Sequence, residues 1–220
     1  MKPPEKFAHS LLEGDHKSAW DMIHRQMNEG ASTLDLFEGL ITKAMRYIGE
    51  LWENNEVTVA DEHLATSTCD YILAKYHYLL REKNGNPSSD KKKAMFLCVQ
   101  DEDHYLGLKM VHILFEENGW ETKFMGPNLP LEYAVSAAQS WQPHVIGLSF
   151  SLSYRAGVLK YYIEKLEAIE TEPTVLLGGR LLATHDFTQY GSERTCFVPS
   201  LYQLADWFHL EQSGGGQVVK

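Results

Sequence analysis

Part-way along this chain the period of the apolar residues changes. From residue 1 to residue 83 they recur at helical spacing with few β-branched runs, the mark of amphipathic helices. From residue 93 they gather into short runs, each followed by a helical stretch, and such alternation with short loops implies a parallel, doubly wound sheet. The change falls at Lys83–Lys92, KNGNPSSDKK, where apolar residues vanish and turn formers cluster. The expected organisation is a four-helix bundle cap over 1–83, a linker over 84–92 and a flavodoxin-like, Rossmann-type α/β domain with five parallel strands over 93–212. A tail over 213–220, opening on Gly214-Gly215-Gly216, is expected to be disordered.

The helices announce themselves by their ends. Phe7, Leu11 and Leu12 belong to a short first helix that Gly14-Asp15 terminates. Asp15 can cap a second, with Ala19, Trp20, Ile23 and Met27 on one face and Gly30 after it. Ser32 or Thr33 caps a third, whose stripe is Leu36, Leu40, Ile41, Met45, Ile48 and Trp52. Thr58-Val59-Ala60-Asp61 has capping-box spacing, with Asp for the usual Glu, and opens a fourth that runs towards Leu80. Beyond the linker, strands are expected at 94–99, 120–124, 145–149, 174–177 and 195–198, with helices near 106–118, 131–140, 153–170, 181–190 and 201–211.

Composition narrows the function. The net charge is −10, and no basic run exceeds Lys91-Lys92-Lys93. Affinity for nucleic acid rests largely on phosphate neutralisation, so direct binding to nucleic acid is not expected. No apolar run approaches the ~18 residues of a membrane span, and no signal peptide is visible. The three cysteines, Cys69, Cys98 and Cys196, are odd in number and lie in apolar patterns. They read as buried thiols of a reducing compartment, and a cytoplasmic protein is expected.

The residues that carry chemistry lie at strand ends. Glu102-Asp103-His104-Tyr105-Leu106-Gly107 follows the first strand, and open α/β sheets bind ligands at the carboxyl ends of their strands. A carboxylate two residues before a histidine can accept one imidazole N–H and leave the other nitrogen to ligate a metal. Gly107 removes a side chain where a flat ligand would approach the backbone. Ser149, in Ile146–Leu152, and Gly178-Gly179, in Val175–Arg180, close two further strands; 41 residues separate Gly107 from Ser149 and 26 separate Ser151 from Gly178. Taken alone, each motif is an ordinary turn; the joint spacing is what carries weight.

This set resembles the cobalamin-binding domain family, whose pattern is D-x-H-x-x-G, S-x-L and GG at like intervals. The resemblance implies a corrinoid with His104 as lower cobalt ligand, and Ser149 and Gly178-Gly179 lining the slot for its displaced nucleotide tail. Glu102 stands where the family has Asp, and Ser151 where it has Leu, which makes a wall of that slot more polar.

A second constellation lies in the helical part. Nine residues separate Trp52 from Glu62-His63, which puts the tryptophan near the end of the third helix and the pair in the early turns of the fourth. This resembles the light-sensing module of the adenosylcobalamin-dependent photoreceptors, whose bundle carries the same three residue types at the same spacing. The resemblance implies that Trp52 covers the upper corrin face, and that Glu62 and His63 contact the adenosyl group. It also implies His63 as an upper cobalt ligand once light has removed that group. Repressor members of that family carry a DNA-binding domain before the bundle; this sequence shows none, which suggests a stand-alone module.

The expected function is a light sensor holding adenosylcobalamin between the two parts, with output through a homo-oligomer change or through an effector protein or enzyme partner. Stand-alone proteins of similar kind, the photocobilins, also bind a bilin, so biliverdin is a second candidate chromophore; the aromatic segment with Tyr190, Tyr202, Trp207 and Phe208 is a candidate lining, with core packing as the plainer reading. The rival of a different class is a corrinoid carrier protein of a methyltransferase system. A haem-binding relative and a cobalamin chaperone or storage protein are further alternatives.

Overall fold

A computed structural model describes residues 1–84, 91–151 and 156–213. The centre of the expected linker and the residues from Gly214 onward lie outside the described residues. The chain divides into two compact units, Met1–Gly85 and Asn86–Lys220.

The first unit is helical: α1 (Pro3–Leu12), α2 (His16–Asn28), α3 (Thr42–Glu53) and α4 (Val59–Asn84). The caps fall where the sequence puts them. Asp15 accepts the Ser18 N–H at 3.0 Å. Asp61 accepts the Thr58 N–H at 2.8 Å, and the Thr58 hydroxyl accepts the Asp61 N–H at 3.3 Å. Ser32 rather than Thr33 forms the third box, its N–H bonded to Asp35 at 3.1 Å. Thr33 is buried and its hydroxyl lies 2.7 Å from that of Tyr76. α1 packs on α3 and α4 through Phe7, Ala8 and Leu11, all fully buried; each large side chain so buried contributes ~1.5–3 kcal/mol.

The third helix departs from the expected regular stripe. It opens with a π-helical segment, Asp35–Ile41, in which the Thr42 N–H reaches back to the Phe37 carbonyl. The wider turn lets adjacent residues Leu36 and Phe37, then Leu40 and Ile41, all point inward. The stripe then runs on through Ala44, Ile48 and Leu51. Met45 is only partly buried and Trp52 falls outside the stripe.

The second unit is the expected parallel sheet, with β1 (Lys93–Val99), α5 (Leu106–Glu117), β2 (Glu121–Leu129), α6 (Leu131–Trp141), β3 (Val145–Ser149), α7 (Ala156–Glu167), β4 (Thr174–Gly178), β5 (Thr195–Val198) and α8 (Leu201–Gln212). The order is β2-β1-β3-β4-β5, with parallel pairing throughout. β1 and β3 are buried on both faces, which is why they read as continuous apolar runs. Two expectations need correction. β2 continues past Phe124 to Leu129 through Gly126-Pro127-Asn128; it is an edge strand with register shifts against β1, where a proline is tolerated. Residues 181–190 are not one helix but two 3-10 turns, Arg180–Ala183 and Thr188–Tyr190. Between them Asp186 accepts the Thr188 N–H at 2.9 Å and its hydroxyl at 2.7 Å, a side-chain turn that competes with helix.

Trp207 and Phe208 pack with Phe115, ring centroids 5.5 and 4.7 Å away, and both are buried. Their role is in the core. Cys69, Cys98 and Cys196 are buried thiols. Among the described residues no helix is long and apolar enough to cross a membrane.

Candidate metal-ligand site at the carboxyl edge of the sheet

The sheet reverses its winding between β1 and β3, the place where doubly wound folds open a crevice. Cys98, Ser149 and Gly178 stand side by side there, at the ends of β1, β3 and β4. The chain then leaves β1 through a tight loop, with Asp101 at φ 61° and the Glu102 N–H bonded back to Val99 at 3.1 Å. This turn drives the Glu102 side chain inward, to 1% exposure, and leaves the His104 side chain 62% exposed.

Glu102 is saturated with donors. One carboxylate oxygen accepts the His104 backbone N–H at 2.9 Å and lies 2.6 Å from His104 Nδ1. The other accepts the Ser151 hydroxyl at 2.8 Å and, at close range, the Ser151 backbone N–H. Burial would raise the Glu102 pKa, but the bonds from His104 and Ser151 outweigh it and hold the carboxyl below its ordinary value. An ionised carboxylate only accepts, so Nδ1 carries the imidazole proton and Nε2 the lone pair. Ser151 Oγ, 2.8 Å from Nδ1, gives its proton to Glu102 and offers Nδ1 a second acceptor. Ser151, expected as a slot wall, is thus turned onto the carboxylate that orients His104.

The neighbouring positions fit a ligand approaching this edge. A Cβ on Gly107, in the first turn of α5, would meet nothing within 4 Å. Gly179 has φ 152°, and a Cβ there would collide with the Phe150 carbonyl. Ser149 is buried in the last position of β3. Burial, with the Glu102 charge adding to it, pushes the Cys98 thiol up to about 12; it stays protonated and is no rival to His104 as a metal ligand.

In the helical unit, Trp52 lies in the last turn of α3 and Glu62 and His63 in the first turns of α4, on either side of residues 54–58. Trp52 is 46% exposed, although Ile48 and Leu51 before it are buried. Glu62 is partly buried and His63 exposed. Sequence reasoning did not single out two residues that hold the His104 loop, Asn128 and Tyr162; neither belongs to a local motif.

The fold and the site define an α/β protein that presents a carboxylate-backed imidazole at its switch point, a donor suited to a metal taking one nitrogen ligand from below. Two family models, each described as a B12 binding domain, match residues 4–76 and 92–194, and the chain belongs to this B12-binding family. It is 20% identical over 177 residues to a corrinoid protein of Desulfitobacterium hafniense (strain Y51), covering 80% of this chain and 82% of that one. It is 25% identical over 153 residues to the HTH-type transcriptional repressor CarH of Myxococcus xanthus, covering 69% of this chain and 49% of that one. The monomethylamine corrinoid protein of Methanosarcina barkeri has the same fold, with a TM-score of 0.73 at 16% identity over 94% of this chain and 96% of that one. The residues present fit the cofactor these matches imply. His104 has its proton fixed on Nδ1, and the glycine at 179 admits no side chain.

Proposed function

We propose that this protein is a light sensor that uses adenosylcobalamin, with His104 as the lower cobalt ligand. The bound cofactor supplies a light-labile cobalt–carbon bond. Glu102 keeps the His104 proton on Nδ1, and Ser151 keeps Glu102 in place. Ser149 and Gly178-Gly179 border the nucleotide tail, and Gly107 leaves room for the corrin. In the helical unit Trp52 offers a flat apolar surface that excludes water, Glu62 accepts hydrogen bonds from hydroxyls, and His63 holds a second imidazole for the upper side.

The observation that carries the proposal is Trp52. A tryptophan left 46% exposed at a helix end forgoes much of the burial such a side chain seeks. Here it precedes Glu62-His63 at the photoreceptor spacing. A change at the adenosyl group biases the helical unit through these three residues, and the output is a change of oligomeric state or of affinity for an effector partner. The second reading is a corrinoid carrier for methyl transfer, favoured by the two relatives named corrinoid proteins that span most of this chain.

Absorption spectra with adenosylcobalamin, in the dark and after green light, separate the two. A protein-specific light product that persists supports the sensor; binding without one supports the carrier. The same spectra with biliverdin test a bilin as second chromophore, which would add red or far-red bands. A His104→Ala variant with an unchanged cobalamin spectrum would remove His104 from the lower position.

A further inference from the structure

The loop that carries Glu102 and His104 begins where the β1–β2 ladder stops. The last paired residues are Val99 and Leu129, and the register has already slipped between Leu97 and Val99. Regular ladder pairing therefore stops short of the loop; one backbone bond, between Asn128 and Glu102, still reaches it, and side chains engage the Gln100 and Asp101 N–H groups. The Tyr162 hydroxyl, from the buried face of α7, accepts the Gln100 N–H at 3.1 Å and donates to the Leu129 carbonyl at 2.6 Å. It joins Gln100, one position beyond the last pair, to Leu129, the β2 member of that pair. Asn128 makes the next link: its side-chain oxygen accepts the Asp101 N–H at 2.8 Å, and its own N–H donates to the Glu102 carbonyl at 3.0 Å. Asn128 has φ 54° and Asp101 φ 61°, conformations that Asn and Asp tolerate better than most residues.

We infer that Tyr162 and Asn128 are positioning residues for His104: they stand in for the missing rungs between β1 and β2 and fix the loop on which Glu102 aims the imidazole. The inference rests on the cobalamin reading above. Tyr162 is only 1% exposed, so removing its hydroxyl leaves a carbonyl and an N–H without the partner the fold gives them. Asn128 is exposed, and its substitution leaves the core untouched.

The test uses the full chain loaded with cob(II)alamin, whose electron paramagnetic resonance spectrum shows the splitting from an axial nitrogen. In Tyr162→Phe and Asn128→Ala the share of bound corrinoid with that splitting falls. In the unloaded proteins, amide exchange at Asp101 and His104 quickens about fivefold, the factor carried by one hydrogen bond of ordinary net strength. Asn128→Asp, which keeps the side-chain acceptor, restores both. Wild-type splitting in Tyr162→Phe and Asn128→Ala would overturn the positioning role. If Tyr162→Phe fails to fold, Asn128→Ala decides alone. Absence of axial nitrogen in the wild type would instead overturn the cobalamin reading, and this inference with it.

Discussion

Glu102 grips His104 twice with a single oxygen, accepting its backbone N–H at 2.9 Å and facing its Nδ1 at 2.6 Å. The longer side chain, where the family pattern has Asp, therefore still reaches the imidazole, with its second oxygen left for Ser151. Glu102→Gln keeps the shape and removes the charge. Hydrogen bonds to a charged partner are worth ~1.5–3 kcal/mol, and the amide's NH2 faces a donor wherever it is placed. The expected result is a lower thermal midpoint without cofactor and weaker axial nitrogen ligation with it. An unchanged midpoint and unchanged ligation would show that the charge is dispensable.

Gly179 cannot be replaced. Its φ of 152° is open to glycine, and the Phe150 carbonyl occupies the place of a Cβ. Gly179→Ala must displace β3 or β4 at the row Ser149–Gly178. Overpacking of this kind costs ~1–3 kcal/mol, and the backbone strain adds to it. Cobalamin titration should show a large loss of affinity, beyond the loss in stability measured by chemical denaturation. Wild-type affinity in this variant would place the tail slot elsewhere.

Much of this was legible because the decisive signals are local. β1 and β3 are buried on both faces and show as apolar runs, and the caps at Asp15 and Thr58 depend on residues three apart. What escaped depends on distance or on backbone phase. The π-helical segment shifts the third helix's stripe onto Leu51 and releases Trp52 from it, and no side-chain pattern announces that extra residue per turn. β2 runs through Pro127 because it is an edge, a fact of topology. The turn of Ser151 towards Glu102 spans 49 residues, and the Tyr162 bridge to Gln100 spans 62; neither lies within reach of a window along the chain.

Acid should loosen the helical unit first at its helix starts. Hydrogen bonds from Ser18, Ser32 and Thr58 hold the carboxyls of Asp15, Asp35 and Asp61 below their ordinary value of 3.8. A depressed folded-state pKa gives stability that is present above the unfolded value and lost as pH falls through the folded one. The thermal midpoint should therefore drop as pH falls below the ordinary carboxyl value of 3.8. Asp61→Asn keeps an acceptor for the Thr58 N–H but does not titrate, so its acid decline should be shallower. An identical decline would assign the loss to other carboxylates.

His63 decides between the two functional readings. It is exposed in the first turns of α4, beside the partly buried Glu62, and the Thr58–Asp61 box that starts the helix does not use it. His63→Ala should therefore leave the fold and its thermal midpoint unchanged. Dark adenosylcobalamin binding should also persist, because the proposal assigns the lower ligand to His104 and not to His63. In a sensor the imidazole acts on the upper side, so the illuminated variant should give a product with an altered spectrum and a shorter lifetime, read by absorption after a green pulse. A light product with the wild-type spectrum and lifetime would take His63 out of the upper site, and with it the residue pair that separates the sensor from the methyl carrier.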